Sequence, residues 1–284
     1  MKYLILGSEG QIGKYLVQYI REKNHSVIEY DIKRSDCEDL RLFEPNRELK
    51  FKLLEHHIKQ CDFVFFLAWD VGGSKYLSDV ESSFKFIHNN VAIMNSTFYL
   101  LKKHNKPFVF TSSQMAAMTH STYGNTKVIG EKYTQALNGI SVRLWNVYGF
   151  EQVNKRSHVI TDFVEMALKD GIIKIRTDGS ELRQFLYVED CCEALFILSK
   201  IYNKIPRNEE LHISNYIWTS IEDVAKKISL CCKCKYIKGE LKDNVQMSMQ
   251  EEPNKNMQKY WEPKTSIDEG IKCIIKKMKN FQVL

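Results

Sequence analysis

Short runs of β-branched and aromatic residues alternate with longer amphipathic stretches over the first two-thirds of the chain. The runs Tyr3–Leu6, Val27–Asp31, Asp62–Ala68, Phe108–Ser112 and Ser141–Trp145 are close to continuously apolar, so they read as strands buried on both faces. Between them, Ile12–Glu22, Leu49–Gln60, Asp79–His104 and Tyr123–Leu137 carry apolar residues at helical spacing. Strands and helices alternating in this way predict a doubly wound α/β fold, with a parallel sheet covered on both faces. In Asp79–His104 the residues Val80, Phe84, Ile87, Val91, Met94, Phe98 and Leu101 recur at steps of four and three. The stretch is expected to be one long helix whose seam packs on the sheet, with a second apolar stripe available for self-association.

After Trp145 the pattern loosens. Short strands at Ile172–Arg176, Phe185–Val188 and Glu210–Ile213 mix with helices at Thr161–Lys169, Asp190–Ile201, Ser220–Ser229 and Ser266–Met278. These segments predict a smaller C-terminal α/β lobe, residues 151–284, interleaved with a first lobe of residues 1–150. A ligand cleft is expected between the two.

Composition narrows the function. Of the 284 residues, 44% are hydrophobic and 27% charged, an ordinary globular balance. The longest unbroken apolar run, Phe63 to Trp69, has seven residues, far short of the roughly 20 that span a bilayer. With no apolar leader at the N-terminus either, a soluble cytoplasmic protein is expected. The excess of 41 basic over 35 acidic residues, a net +6, suits a small anionic ligand. No basic stripe interleaved with aromatics points to nucleic acid. The cysteine cluster Cys231, Cys232 and Cys234 offers three thiols without a spaced fourth ligand, so neither a metal site nor a disulfide is expected.

The candidate chemistry begins at Gly7-Ser8-Glu9-Gly10-Gln11-Ile12-Gly13, which follows the first strand and opens the first helix. The first glycine allows the tight turn, the second lets backbone approach a pyrophosphate, and the third lets helix and strand pack closely. The helix N-terminus then presents free N–H groups to phosphate charge. Asp31 ends the second strand 18 residues after Gly13, where a carboxylate accepts hydrogen bonds from ribose hydroxyls and disfavours a 2′-phosphate. NAD is therefore the expected cofactor. Lys33 and Arg34 lie within reach of a 2′-phosphate, so NADP stays open. Further on, Tyr123-Gly124-Asn125-Thr126-Lys127 opens a helix, and residues four apart share a helix face. A free tyrosine, with a pKa of about 10, is a poor base at neutral pH. A lysine ammonium beside it is expected to stabilise the phenolate and bring it into working range.

With these two motifs the chain resembles the extended short-chain dehydrogenase/reductases, in the nucleotide-sugar epimerase/dehydratase branch, along almost its whole length. Asp39-Leu40 resembles the pair that contacts adenine in that family, and Phe65-Phe66-Leu67-Ala68 its fourth-strand segment lining the cofactor. Phe108-Val109-Phe110-Thr111-Ser112-Ser113 resembles the strand ending in the catalytic Ser or Thr. Arg143-Leu144-Trp145-Asn146-Val147-Tyr148-Gly149 looks like the segment beside nicotinamide and sugar. Asp178-Gly179-Ser180, Arg183-Gln184-Phe185-Leu186-Tyr187-Val188-Glu189-Asp190 and Trp261-Glu262-Pro263-Lys264-Thr265-Ser266 are similar to three later motifs. The resemblance implies a Rossmann fold and a homodimer formed through the helices at Asp79–His104 and Tyr123–Leu137. It implies catalysis by Ser113, Tyr123 and Lys127. Cofactor contacts would come from Gly7, Gly10, Gln11, Ile12, Gly13, Asp31, Asp39, Leu40, Leu67, Ala68, Asn90 and Lys127. Asn146 and Arg183 would hold the substrate, with Arg183 on a nucleotide diphosphate.

Departures from the family pattern narrow the reaction. Gln114 and Met115 stand where 4,6-dehydratases carry an Asp-Glu acid/base pair. Trp69-Asp70-Val71-Gly72-Gly73 partly resembles a segment of GDP-fucose synthase, which needs a cysteine at the position of Met115. Ala116-Ala117-Met118 replaces the usual Val-Tyr-Gly, and His158 is a loop residue with no assigned role. What survives is a set for hydride transfer at C4 of a nucleotide-diphospho-sugar. A C4 epimerase is the leading expectation and an NAD(P)H-dependent 4-ketoreductase of a deoxysugar or heptose nucleotide the alternative. A catalytically inert nucleotide-binding member ranks third.

Overall fold

The computed structural model describes every residue except 43–45, 247–250 and 283–284. The first lobe runs through β1 (Lys2–Leu6), α1 (Gln11–Glu22), β2 (Ser26–Tyr30), α2 (Arg47–Gln60), β3 (Phe63–Phe66), α3 (Ser74–Val80), α4 (Phe84–Lys103), β4 (Phe108–Ser113), α5 (Thr122–Ala136) and β5 (Ile140–Leu144). The rest comprises β6 (Val147–Tyr148), α6 (Val159–Lys169), β7 (Ile172–Lys174), β8 (Leu182–Gln184), β9 (Leu186–Tyr187), α7 (Val188–Lys200) and β10 (Leu211–Ile213). It ends with β11 (Trp218–Ser220), α8 (Ile221–Cys232), β12 (Lys235–Ile237) and α9 (Ile267–Gln282).

Among the described residues, six strands form one sheet in the order β2-β1-β3-β4-β5-β10. Every pairing in it is parallel. Successive strand residues face opposite layers, which explains the continuous apolar runs. Tyr3, Ile5, Phe63, Phe65 and Val109 join the core with Leu16, Ile20, Leu195 and Leu198 of α1 and α7. Leu4, Leu6, Val64, Phe66, Phe108 and Phe110 pack on the other side with Leu54, Met94, Phe98 and Leu101 of α2 and α4. The lobes interleave because β10, from the C-terminal part, completes the sheet beside β5. The chain leaves β1 toward β2 and returns to β3 on the opposite side, so a crevice opens at the carboxyl ends of β1 and β3.

The long helix expected at Asp79–His104 is two helices. Residues 81–83 interrupt it: the Ser83 hydroxyl accepts the Phe86 N–H at 3.2 Å and caps α4. Glu81, the C-cap of α3 with its N–H still bonded to the Leu77 carbonyl at 2.9 Å, accepts the Ser121 hydroxyl at 2.9 Å and the Tyr123 N–H at 3.1 Å, fixing the start of α5. The seam divides accordingly. Met94, Phe98 and Leu101 are buried against the sheet, whereas Phe84 is 80% exposed and Ile87 faces solvent. The strand expected at Phe185–Val188 is likewise shorter, ending at Tyr187 where α7 begins.

Candidate active site

A cleft of about 1230 Å³ runs from the glycine turn, past Ser113, Tyr123 and Lys127, to Arg183 and the 241–246 segment. Its first third is shaped by backbone contact. Gly7 has φ +91°, and a Cβ there would lie 2.7 Å from the Ala68 nitrogen. A Cβ on Gly13 would lie 2.1 Å from the Gly7 carbonyl oxygen. The first turn of α1 holds no acidic residue, and its N-cap, Gly10, offers no side chain to its N–H groups. This is a cradle that fits a pyrophosphate. Gln11, Ile12, Leu40, Leu67 and Ala68 line the same wall.

Asp31 sits at the rim, where its carboxylate accepts the backbone N–H of Glu9 at 3.0 Å and of Lys33 at 2.9 Å. Arg34 is held by Glu29 at 3.1 Å, Glu38 at 3.6 Å and Glu9 at 3.9 Å. Three carboxylates thus claim this guanidinium. Asp39 is gripped by both donors of Arg41 at 2.8 Å. Burial alone would raise its carboxyl, but the Arg41 hydrogen bonds hold it below the usual range.

Asn90 lies behind the cleft wall, fully buried. Its amide accepts the Asp70 N–H at 2.8 Å and donates to the Asp70 carbonyl at 3.2 Å, so it fixes the loop after β3. The Asp70 carboxylate gathers Asn89 and Tyr76, both at 2.7 Å, and Arg156 at 2.8 Å.

Ser113, Tyr123 and Lys127 come together in the middle of the cleft, the first from the end of β4 and the others from one face of α5. Burial pushes the Tyr123 phenol up to about 12, the neighbouring Ser113 hydroxyl opposing the shift, while the Ser113 Oγ accepts the Met115 N–H at 3.2 Å. That direction is opposite to the expectation from the Tyr-Lys spacing. The reason is where the lysine points. Lys127 Nζ donates to the Thr111 carbonyl at 2.7 Å and lies 5.8 Å from the Tyr123 ring centroid. Burial also holds the Lys127 ammonium well below its usual pKa, opposed by the charge of Glu131.

At the far end, Asn146 accepts a hydrogen bond from Gln114 at 2.7 Å and donates to Gln246 at 3.1 Å. Arg183 donates to Asp243 at 2.5 Å and to the Leu182 carbonyl at 2.7 Å. The segment carrying Asp243 and Gln246 had no signal in the sequence, because it bears no motif and acquires its place only through these long-range contacts. His158 also lines the cleft. Its ring nitrogen Nδ1 and its backbone N–H both meet one oxygen of Glu151, at 2.9 and 2.8 Å. Burial would lower its pKa, but Glu151 and Asp162 hold it above the usual imidazole value. By contrast, the Trp261–Ser266 turn serves the fold: Asp190 accepts the N–H groups of Lys264 at 3.1 Å and Thr265 at 2.8 Å.

The sheet order and the crevice at its switch point define a doubly wound α/β fold of the nucleotide-binding kind. Residues 3–214 match the model of the NAD dependent epimerase/dehydratase family, and the chain belongs to that family. A putative UDP-glucose 4-epimerase of Methanocaldococcus jannaschii is 25% identical over 313 residues, covering 98% of each chain. Among solved structures, UDP-glucose 4-epimerase of Thermotoga maritima with UDP-glucose aligns with a TM-score of 0.79 at 20% identity, over 99% of this chain and 100% of that one. A GDP-6-OMe-4-keto-L-xylo-heptose reductase from C. jejuni aligns with the same TM-score of 0.79 at 15% identity, over 99% of this chain and 98% of the other. No helix among the described residues is long and apolar enough to cross a membrane.

Proposed function

We propose that this protein is an NAD-dependent C4 epimerase of a nucleotide-diphospho-sugar. The observation that carries the reading is the composition of the cleft beside Ser113. Tyr123 and Lys127 are in place, while the next two residues, Gln114 and Met115, have no ionisable group. Water elimination and carbon-acid chemistry need a proton carrier at that place. Hydride transfer at a carbinol needs only Tyr123, with Ser113 to steady the oxygen.

NAD would be held by the glycine turn and Asp31, and would supply the hydride acceptor and donor. NAD is favoured over NADP because the Asp31 carboxylate lines the cleft where a 2′-phosphate would come, and Arg34 is already held by three carboxylates. Tyr123 takes the proton of the C4 hydroxyl as C4 loses its hydride, leaving a 4-keto sugar. The ketone then presents its other face, takes the same hydride back, and recovers a proton from Tyr123. Ser113 hydrogen-bonds the C4 oxygen in both half-reactions. Asn146 and Arg183 hold the substrate, Arg183 on its nucleotide diphosphate; a guanidinium binds phosphate through two donors at once. In this reading residues 1–150 carry the dinucleotide and 151–284 the sugar nucleotide.

The second reading, a 4-ketoreductase, drew support from the likeness of Trp69–Gly73 to GDP-fucose synthase. The geometry accounts for those glycines differently. A Cβ on Gly73 would lie 2.4 Å from the Ser157 carbonyl oxygen, so close packing against residues 156–158 is enough to require it. An epimerase returns the hydride to the same sugar and retains its cofactor, whereas a reductase must release oxidised dinucleotide each turn. Protein purified without added cofactor and denatured should release NAD or NADH in near-stoichiometric amount; protein that emerges empty and exchanges dinucleotide freely would favour the reductase.

The same reading includes a homodimer. Phe84, Ile87 and Tyr99 of α4 and Ile129 and Tyr133 of α5 are exposed large apolar side chains on the two helices expected to pair. Light scattering should give twice the 33.3 kDa chain mass at micromolar concentration; a monomer contradicts it.

A further inference from the structure

Lys127 is surrounded by rings. Its Nζ lies 3.8 Å from the centroid of the Trp69 ring and 4.9 Å from that of Phe110. Among the described residues the Thr111 carbonyl is the single hydrogen-bond acceptor it reaches, although an ammonium has three donors. Lys127 is 3% exposed, so bulk water does not complete its shell. Lys127 also lines the cleft, where a bound dinucleotide would offer it further acceptors; until one binds, the protein's own groups must meet its charge.

The remaining surroundings do little of this. On α5 the titratable neighbours are Tyr123, whose own pKa is raised, and Glu131. Glu131 is engaged elsewhere: it accepts the Ser112 hydroxyl at 2.6 Å and two donors of Arg143, on β5, at 2.8 and 2.9 Å. From the loop after β3, Asp70 is taken up by Tyr76, Asn89 and Arg156. The face of an indole attracts a cation more strongly than any other aromatic side chain, and most of all when water is excluded. Trp69 is also firmly placed, packed on Phe110 at 5.6 Å and Phe66 at 6.3 Å between ring centroids.

We infer that the π face of Trp69 is the counter-charge of Lys127, holding the ammonium protonated and in register beneath Tyr123. Trp69 is a positioning residue: it acts through Lys127 and does not itself transfer a proton. The role in turnover rests on the reading of Tyr123 and Lys127 as the working pair, but the contact itself does not.

Two measurements separate these. The first needs no substrate. The chain has four tryptophans, and a charge on an indole shifts its emission. Lys127→Met should shift the tryptophan emission maximum of the otherwise unchanged protein and leave that of a Trp69→Phe background unmoved. The same shift in both backgrounds, or none in either, overturns the contact. The second is the pH profile of turnover with a nucleotide sugar. Losing the π face makes the ammonium lose its proton more readily. Trp69→Leu should therefore move the alkaline limb of kcat/KM down by about one pH unit, and Trp69→Phe should restore most of the shift. A Trp69→Leu protein that loses rate without moving the limb would show that Trp69 only fills space. Should Trp69→Leu fail to fold, the emission comparison still decides, since it uses only Lys127→Met and Trp69→Phe. An inactive enzyme with the emission shift intact would refute the catalytic reading and leave the contact standing.

Discussion

The two ends of the cleft are built by different physics. At the dinucleotide end the wall is backbone: Gly7 and Gly13 are demanded by atoms that a methyl group would meet at 2.7 and 2.1 Å. At the opposite end, where the proposed function puts the sugar, the wall is a mesh of side chains, in which Gln114, Asn146 and Gln246 bond one another and Arg183 pairs with Asp243. Backbone sterics permit one residue type and leave a spaced pattern in the sequence. A side-chain mesh can be woven from many residue types; under the proposed function one end would fix the cofactor class while the other would be free to set the sugar.

That contrast can be broken at three points. The largest effect is expected between the two ends. Tyr123→Phe keeps the buried ring and removes the proton carrier, so turnover should fall about 10²–10⁴-fold while dinucleotide affinity stays the same by calorimetry. Unchanged turnover would remove Tyr123 from the chemistry. Because burial pushes this phenol up to about 12, the rate of the oxidative half-reaction should rise with pH as the phenolate fraction grows, until the Lys127 ammonium begins to lose its proton.

Gly13→Ala tests the backbone end. Forcing a methyl against a carbonyl oxygen costs about 1–3 kcal/mol, so the Kd for NAD should rise about 10–100-fold with a lowered Tm. Wild-type binding would show that the turn has room to spare and is not the cradle described.

Arg183→Ala tests the side-chain end. Hydrogen bonds to charged groups contribute about 1.5–3 kcal/mol, so KM for the nucleotide sugar should rise about 10–100-fold with NAD binding unaffected. Arg183→Lys should recover little, because an ammonium lacks the two-pronged geometry. Equal loss of both ligands would mean that the Arg183–Asp243 pair holds the lobe together and does not read phosphate.

The same contrast explains what the sequence made legible. The parallel sheet was readable because β1, β3 and β4 are apolar on both faces, and the glycine turn because sterics leave so few alternatives. The break at residues 81–83 was not: the seam from Val80 to Leu101 has unbroken heptad spacing, and the capping of a new helix by Ser83 shows only in the folded chain. Asp243 and Gln246 were invisible for a related reason, since their partners lie 60 to 132 residues away in sequence. The Tyr-Lys spacing located the pair but not its electrostatics. Which way Lys127 points depends on Thr111 and Trp69, and neither belongs to the motif.

The central claim is that the hydride taken from C4 returns to the same carbon. It is tested by incubating nucleotide sugars carrying deuterium at C4 with the purified protein and no added cofactor, then reading the products by mass and NMR. The account predicts the C4 epimer with deuterium retained at C4. No conversion of any such sugar, together with oxidation of added NADH or NADPH by a 4-keto nucleotide sugar, would contradict it.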